Sequence, residues 1–396
     1  MKKKLIFIRY LFYRYVFSLN FNAARIHKST NLKKVMESIN STFFGYFNFV
    51  ITNANGNLIF LEQNQNQKHI NIVLKKDDKC IKLGETLSWN YQQGCMLIWF
   101  DEDKSKIIFN DYSSETNLYY SRVIDFDGNR LMKYSRPIQA VAVKSRIGLS
   151  INYERLSVLR PEYGYTNKTD IVLDDENDGL WKFCLNNSFQ EKLIIDLNSL
   201  KKREKNFQNI QKQKINHVLF NEKEDLFVFL YRFELNETRF HRLYLSDING
   251  DFRLLSANMV SHYCWLDNEN LIFFGENVIL ELGYYRINVN SREINLISDK
   301  LPKVDGHPVV IYNRYIVFDT YPGLNRFSGL FIYDIEKDLI VNIGSFFQSF
   351  DFIGGKRVDL HPKLSFDLNK CFIESSHNNN TRTLYEIDIS KLVNNE

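Results

Sequence analysis

The chain has few of the residues that mark specialised architectures. Its 396 residues include 6 prolines and 17 glycines, too few for a collagen-like or low-complexity protein. No uninterrupted apolar run approaches the roughly 20 residues that a membrane-spanning helix needs. The cysteines are odd in number, far apart and never in a Cys-x-x-Cys pair, which argues against a disulfide framework and indicates a reducing compartment. They are Cys80, Cys95, Cys184, Cys264 and Cys371.

Aromatic residues are abundant instead. The chain contains 32 Phe and 22 Tyr, and aromatic side chains suit a pleated, half-buried surface. Hydrophobic residues make up 44% and charged residues 25%, which excludes a disordered chain. Length alone allows two or three domains, or one large all-β domain.

Acidic residues are missing from the start of the chain. Residues 1–36 carry nine Lys or Arg and no acid, which leaves 42 basic and 47 acidic residues for the remainder. The excess of basic charge therefore belongs to an N-terminal extension, and we expect no nucleic-acid groove across the body. The apolar stretch at residues 5–8 is cut by Arg9, short of the 7–15-residue core of a secretory signal. We therefore expect a cytoplasmic protein; the alternatives for this extension are an organelle-type presequence and an amphipathic surface segment.

An internal repeat is the most informative feature. Four dipeptides end in histidine, and these histidines are spaced 45, 45 and 54 residues apart. Strand-like apolar runs follow each of them, separated by polar turns such as Asn249-Gly250. Four short strands in 45–54 residues are typical of a β-propeller blade. The dipeptides are Asn216-His217, Ser261-His262, Gly306-His307 and Leu360-His361.

Three weaker blades precede these four. They cover about residues 43–83, 96–134 and 138–196, and the third contains an insertion around 163–178. The sequence thus predicts an all-β fold: a seven-bladed β-propeller at residues 43–396 with a short basic N-terminal extension at residues 1–42. The last repeat has three strands, so we expect the extension to supply the strand that closes the ring. We place that strand at residues 5–17 and expect a helix over residues 31–41.

The repeats also resemble known propellers. Residues 243–250 resemble Tol-type and WD40-like repeats, and the histidine-bearing blades resemble the seven-bladed oligogalacturonate lyases over roughly residues 215–390. The resemblance implies β-elimination of acidic galacturonides around a manganese-like divalent ion, held by histidines and a glutamine in the central funnel. It is carried by Ser261-His262-Tyr263-Cys264-Trp265, Asp305-Gly306-His307-Pro308, Asp319-Thr320-Tyr321-Pro322 and Asp359-Leu360-His361-Pro362.

The repeat makes a geometric argument of its own. Residues at one repeat position lie at one height around a propeller axis, so the four imidazoles should ring one mouth of the central channel. Three of them could converge on a divalent ion, because neutral imidazole binds transition metals. The candidate metal ligands are His262, His307 and His361, with manganese favoured by the resemblance. No glutamine near His361 fits clearly, and Gln348 is the nearest upstream.

Candidate catalytic residues lie on the fourth blade. The resemblance implies a histidine base near position 231, with an arginine close behind. This chain has a tyrosine there, which could act as a base only if its pKa fell well below about 10. His217 or His241 could replace it. The catalytic candidates are Tyr231, His217, His241, Arg232 and Arg239.

The predicted function is a metal-dependent lyase that cleaves uronate-containing oligosaccharides by β-elimination. The alternative is a non-catalytic propeller that binds a glycan or protein partner, since propellers host many unrelated functions. A hydrolase using Asp305 and Asp359 is a third class, less favoured because nothing in the sequence positions an acid and a base together.

Overall fold

The computed structural model describes residues 24–186, 190–378 and 380–393, together with Ile8. Two short strands come first, β1 (Ala24–Ile26) and β2 (Leu32–Lys34). The first three blades are then formed by β3 (Ser41–Phe43), β4 (Leu58–Gln63), β5 (Ile70–Lys76) and β6 (Lys79–Thr86); by β7 (Ile98–Trp99), β8 (Lys106–Ser113), β9 (Leu118–Asp125) and β10 (Arg130–Tyr134); and by β11 (Ala140–Ala142), β12 (Ile147–Ser150), β13 (Gly179–Cys184) and β14 (Glu191–Asp196).

The four histidine-bearing blades follow. They are formed by β15 (Ile210–Phe220), β16 (Leu226–Leu235), β17 (Thr238–Asp247) and β18 (Phe252–Ser256); by β19 (Val260–Trp265), β20 (Asn270–Glu276), β21 (Leu282–Asn288) and β22 (Ile294–Leu296); by β23 (Pro308–Ile311), β24 (Tyr315–Asp319), β25 (Phe327–Asp334) and β26 (Leu339–Phe347); and by β27 (Lys363–Leu364), β28 (Lys370–Ser375) and β29 (Thr383–Asp388). All neighbouring strands pair antiparallel, and the prediction of a seven-bladed β-propeller is confirmed.

Helices are few in the described part of the chain. They are α1 (Tyr153–Leu159), α2 (Leu197–Lys202) and α3 (Ser390–Val393), with short 3-10 helices at Phe207–Asn209 and Gly354–Lys356. Helix α1 lies in the insertion of the third blade, between β12 and β13. Asn152 caps its first turn by accepting a hydrogen bond from the Arg155 amide at 2.9 Å. None of the described helices is long and apolar enough to cross a bilayer.

Short polar side chains form the turns between strands. In the hairpin between β17 and β18, Asp247 Oδ1 accepts hydrogen bonds from the amides of Asn249, Gly250 and Asp251 at 2.8–3.0 Å. Gly250 has φ +95°, a backbone conformation that glycine adopts without steric cost. Such turns keep each apolar run to strand length, which is why the four-strand pattern is visible in the sequence.

The core lies between the faces of adjacent blades. Val228 and Leu230 of β16, for example, pack in one buried cluster with Leu271 and Phe273 of β20 in the next blade. Because both faces of a middle strand are covered, these strands read as continuous apolar runs rather than alternating ones. β24 is buried at all five positions.

The ring is closed by a strand from before the first blade. β2 pairs antiparallel with β29, with Lys33 opposite Glu386, and becomes the outer strand of the seventh blade. β1 pairs with β26 and adds a fifth strand to the sixth blade. Residues 24–34 thus contribute to the propeller, although the sequence assigned them to the extension.

The expected helix over residues 31–41 is wrong where β2 forms, because pairing with the free edge of β29 overrides local preference. The placement of the closing strand at residues 5–17 lies outside the described residues, apart from Ile8. The exact boundary between extension and propeller stays a prediction.

Candidate metal and substrate site

The four repeat histidines meet at the centre of the ring. The ring centroids of His217 and His262 are 5.7 Å apart, those of His262 and His307 4.2 Å, and those of His307 and His361 4.3 Å. All four side chains are buried. The prediction that imidazoles from successive blades point to one shared place is confirmed.

Irregular backbone aims these side chains inward. The register of β15 against β16 shifts between Asn216 and Leu219, and His217 in this bulge has φ +56°. The register of β19 against β20 shifts likewise between Val260 and Tyr263, on either side of His262. A bulge redirects a side chain that regular alternation would send elsewhere. His361 also has a positive φ, +46°, just before β27.

A buried carboxylate orients His307. Nδ1–H of His307 donates to Asp319 Oδ1 at 2.8 Å, and the His307 amide donates to the same oxygen at 2.7 Å. The His361 amide donates to Asp319 Oδ2 at 2.9 Å, so one carboxylate fixes two histidines. Burial alone would raise the pKa of Asp319, but the charge and hydrogen bonds of His307, with the His361 amide, lower it. Burial alone would lower the pKa of His307, and Asp319 raises it.

His307, Asp359 and His361 form a group that could hold a metal ion. One ligand atom of each lies within 4.8 Å of the others, and all three residues are buried. Nε2 of His307 and Nδ1 of His361 have no hydrogen-bond partner among the described residues. Buried polar atoms are normally satisfied, so free imidazole nitrogens beside a carboxylate fit a bound divalent ion. Asp319 supplies the outer carboxylate that commonly orients a metal-binding histidine.

Asp359 is itself held in place by an arginine. Arg357 donates to both of its carboxylate oxygens, at 2.5 and 2.7 Å, and this bidentate pair fixes the orientation of the carboxylate. The Arg357 guanidinium lies 4.3 Å from the centre of the Tyr321 ring. Tyr321 in turn packs edge-on to His307, with 5.5 Å between ring centroids.

His262 has a different partner. Its Nδ1 lies 3.1 Å from Asp305 Oδ1, and Ser261 donates to the other oxygen of that carboxylate at 2.6 Å. Burial, followed by the charge of His307, lowers the pKa of His262 to about 4. His262 is therefore a neutral imidazole near pH 7 that lies against His307 but outside the three-residue metal group.

A loop from the first blade covers one side of the histidines. Phe47 is 2% exposed, and its ring lies 5.0 Å from that of His307 and 5.7 Å from that of His262. The Tyr46 hydroxyl is hydrogen-bonded to Nδ1 of His217. Nε2 of His217 is buried and has no partner among the described residues.

A buried ion triad positions this loop. Glu374 pairs with Lys363 at 2.9 Å and with Arg382 at 2.7 Å. Its Oε1 also accepts hydrogen bonds from the amides of Phe44 and Gly45, at 3.2 and 2.8 Å. Lys363 further donates to the His361 carbonyl at 2.7 Å. The first and last blades are thereby tied together beside the candidate metal group.

The candidate residues of the fourth blade are differently placed. Arg232 is buried, and its Nε donates to Nδ1 of His241 at 3.2 Å. Tyr231 donates to Gln213 Oε1 at 2.8 Å, and burial raises its pKa, which does not favour a role as a base. Arg239 is exposed on β17. The catalytic roles of these residues stay predictions.

The sequence did not assign several of these residues a place in the site. Asp359, which opens one of the segments that carry the resemblance and was assigned a role only as a hydrolase carboxylate, belongs to the candidate metal group. Gln348, the nearest glutamine upstream, instead donates to the Val358 carbonyl and accepts from Arg326. One sequence feature indicated Asp319, because it opens the Asp319-Thr320-Tyr321-Pro322 segment on which the resemblance rests. No sequence feature indicated that Tyr46 and Phe47 lie beside the site.

Comparison with solved structures agrees with this architecture. An oligogalacturonate lyase from Vibrio parahaemolyticus matches with a TM-score of 0.64 and 13% identity over 92% of this chain and 96% of that one. An oligogalacturonate lyase in complex with manganese matches with a TM-score of 0.66 and 13% identity over 92% of this chain and 95% of that one. A prolyl endopeptidase matches with a TM-score of 0.52 and 9% identity, over 88% of this chain and 47% of that one.

No protein-family model and no curated protein sequence matches the chain. The fold and its central histidines define the class of protein: a seven-bladed β-propeller with a candidate metal group at its axis. Within that class the chain has the fold of the oligogalacturonate lyases, which it resembles over nearly its full length.

Proposed function

We propose that the protein is a metal-dependent lyase that cleaves uronate-containing oligosaccharides by β-elimination. The observation that carries this proposal is the buried group of His307, Asp359 and His361 at the axis of a lyase-type propeller. We also propose a cytoplasmic location for this activity, in keeping with the scattered cysteines of the chain, none of which lies in a Cys-x-x-Cys pair.

His307, Asp359 and His361 would hold the divalent ion. Manganese is favoured, because a propeller of the same fold is known in complex with manganese, and imidazole and carboxylate are suitable ligands for divalent metals. When bound, such an ion would polarise the uronate carboxylate and acidify the hydrogen on the adjacent carbon.

His217 is the base that we propose. Its Nε2 is buried without a partner in the described part of the chain, and burial lowers its pKa well below the ordinary value, so the imidazole is neutral at pH 7. It would take the proton from the carbon next to the carboxylate. A carbon–carbon double bond then forms, the glycosidic carbon–oxygen bond breaks, and the leaving oxygen takes a proton from water.

The positive charge of Arg232 would stabilise, through space and without direct contact, the negative charge that develops during this step. Its guanidinium is buried and close enough to His217 to lower the pKa of that imidazole. A fixed cation in a site that excludes water is most effective where charge appears in the transition state.

The test combines metal analysis with an elimination assay. The natural protein should contain about one divalent ion per chain and should raise ultraviolet absorbance when incubated with oligogalacturonides. A double variant, His307→Ala with His361→Ala, should lose both, whereas His377→Ala outside the site should keep both. The proposal would be contradicted if the natural protein contained no metal and were no less stable without it. Release of reducing sugar without a rise in ultraviolet absorbance would contradict it as well.

A non-catalytic binding propeller is the second candidate. The observation that favours it is Tyr231, since its raised pKa and its bond to Gln213 leave no base where the resemblance implies a histidine. In that case oligogalacturonides would bind to the metal-loaded protein but the absorbance would stay constant.

A further inference from the structure

Two buried cations lie opposite each other beside the histidines. Lys214 of β15 is 3% exposed, Arg232 of β16 is 2% exposed, and the two are direct partners in the antiparallel register. Like charges directly opposite on neighbouring strands repel each other. Burial lowers the pKa of Lys214 to about 8, and the charges of Arg239, Arg232 and Arg160 also lower it, in that order, against a smaller opposite effect of Glu234.

Neither buried cation has an acidic partner. Lys214 donates to the Lys212 carbonyl at 3.2 Å, a neutral acceptor. Arg232 donates to Asn216, to His241 and to the carbonyls of Val260 and Ser261, all at 3.2–3.3 Å and all neutral. Among the described residues, no carboxylate lies within 4.0 Å of either charged group.

The other buried cations of the described chain are neutralised. Arg155 pairs with Asp178 at 2.5 Å, and Lys363 and Arg382 share Glu374 at 2.9 and 2.7 Å. These three pairs follow the rule that a buried charge needs a partner of opposite sign. Lys214 and Arg232 depart from it together, at one place, which points to an anion that the protein itself does not supply.

This place adjoins the candidate metal group. Lys214 precedes His217 by three residues on β15, and Arg232 bonds to the carbonyls at the start of β19, the strand that carries His262. The Arg160 guanidinium lies 4.8 Å from the centre of the Tyr163 ring, which packs edge-on against His217 at 5.2 Å. Arg160 is partly exposed and lies 3.7 Å from Glu162 at the protein surface, and Arg239 is exposed, so the cluster reaches solvent.

We propose that Lys214, Arg232 and Arg160 form an oxyanion-binding site for a second acidic group of the substrate, distinct from the group at His307, Asp359 and His361. That the substrate is an acidic saccharide rests on the proposed function. The existence of the anion site does not depend on the proposed function, because it is inferred from the unpaired buried cations. The substrate would then carry at least two negative groups, each a carboxylate or a sulfate ester.

Thermal unfolding of metal-free protein tests the site. At constant ionic strength, the Tm of the natural protein should rise saturably with sodium galacturonate or with inorganic sulfate, but not with galactose. Lys214→Met should weaken this anion response about tenfold or more. It should also raise the Tm without anion, because it removes an unpaired buried charge. Lys212→Met is the matched control: Lys212 lies two residues away, is exposed and is paired with Glu234 at 2.6 Å.

The outcomes separate this inference from the proposed function. A response to galacturonate alone assigns a carboxylate, and a response to sulfate alone assigns a sulfate ester. No saturable response, or an equal response in Lys214→Met, overturns the inference. His307→Ala should keep the metal-free response, because His307 lies outside the anion site. If the natural protein shows the anion response but no elimination, only the proposed lyase activity is contradicted.

Discussion

At the scale of single residues, environment gives identical side chains different properties. Asp319 raises the pKa of His307, whereas burial lowers the pKa values of His217 and His361 well below the ordinary one. Burial, and then the charge of Arg232, lowers the pKa of His241 to about 4. A histidine that stays neutral can accept a proton or a metal, and a histidine hydrogen-bonded to a carboxylate is held in one orientation.

The lowered pKa of His241 predicts acid sensitivity. In the unfolded chain this imidazole binds a proton near pH 6.5, but in the folded protein only near pH 4. Stability is therefore complete above pH 6.5 and falls as the pH drops towards 4. His241→Gln should reduce that loss by about 2 kcal/mol, measured by urea unfolding at pH 7.0 and 4.5.

His69→Gln, at a partly exposed position in the first blade, is the control for loss of any one histidine. Equal acid sensitivity of the natural chain and His241→Gln would show that His241 titrates alike in the folded and unfolded states.

At the scale of elements, close approach of backbone sets the position of the site. Gly306 precedes His307, and a Cβ at this position would lie 1.8 Å from the Asp319 carbonyl oxygen. A side chain there would push the start of β23 away from β24 and separate His307 from the carboxylate that orients it. The Gly-His dipeptide is thus explained by packing of two strands as well as by the chemistry of the histidine.

Gly306→Ala should therefore destabilise the protein and weaken the metal binding that we propose. The expected loss is about 1–3 kcal/mol in the free energy of unfolding, with a matching loss of bound metal after dialysis. Gly84→Ala is the control, because a Cβ there meets only Ile124 at 3.7 Å. Full metal content with an unchanged Tm in Gly306→Ala would refute this account of the glycine.

At the scale of the whole molecule, ring closure holds the two ends of the described chain together. β2 completes the seventh blade, and Glu374 of that blade binds the amides of Phe44 and Gly45 in the first. Through these hydrogen bonds Glu374 supports the loop that carries Tyr46 and Phe47 beside the histidines.

A cross-link through the closing strand should stabilise the fold. Lys33 and Glu386 are direct partners in the register of β2 and β29, so Lys33→Cys with Glu386→Cys should form a disulfide. Because it closes a very long loop, it should add about 3 kcal/mol or more to the free energy of unfolding, and reduction should remove the gain. The exposed Cys80 is replaced by serine in the reference protein, in both single-cysteine variants and in the double-cysteine variant.

The two single-cysteine variants are the controls. Failure of the disulfide to form under oxidising conditions would show that β2 does not pair in this register.

Much of the architecture was predictable because a propeller blade is local. Successive histidines of the repeat (His217, His262 and His307) are 45 residues apart, and the turns and apolar runs of one blade lie within about 50 residues. Each can be seen without knowing how blades meet. The helix expected over residues 31–41 was wrong for the opposite reason, since β2 is set by a partner strand more than 350 residues away.

The sequence by itself determined the number of blades and placed four imidazoles at one height around the axis, because both follow from a repeat of strands. Only the tertiary structure decided that Asp359 joins His307 and His361, that Asp319 orients them, and that Lys214 and Arg232 face each other without a carboxylate. These relations depend on bulges that redirect side chains and on contacts between strands or blades, and neither leaves a period in the sequence.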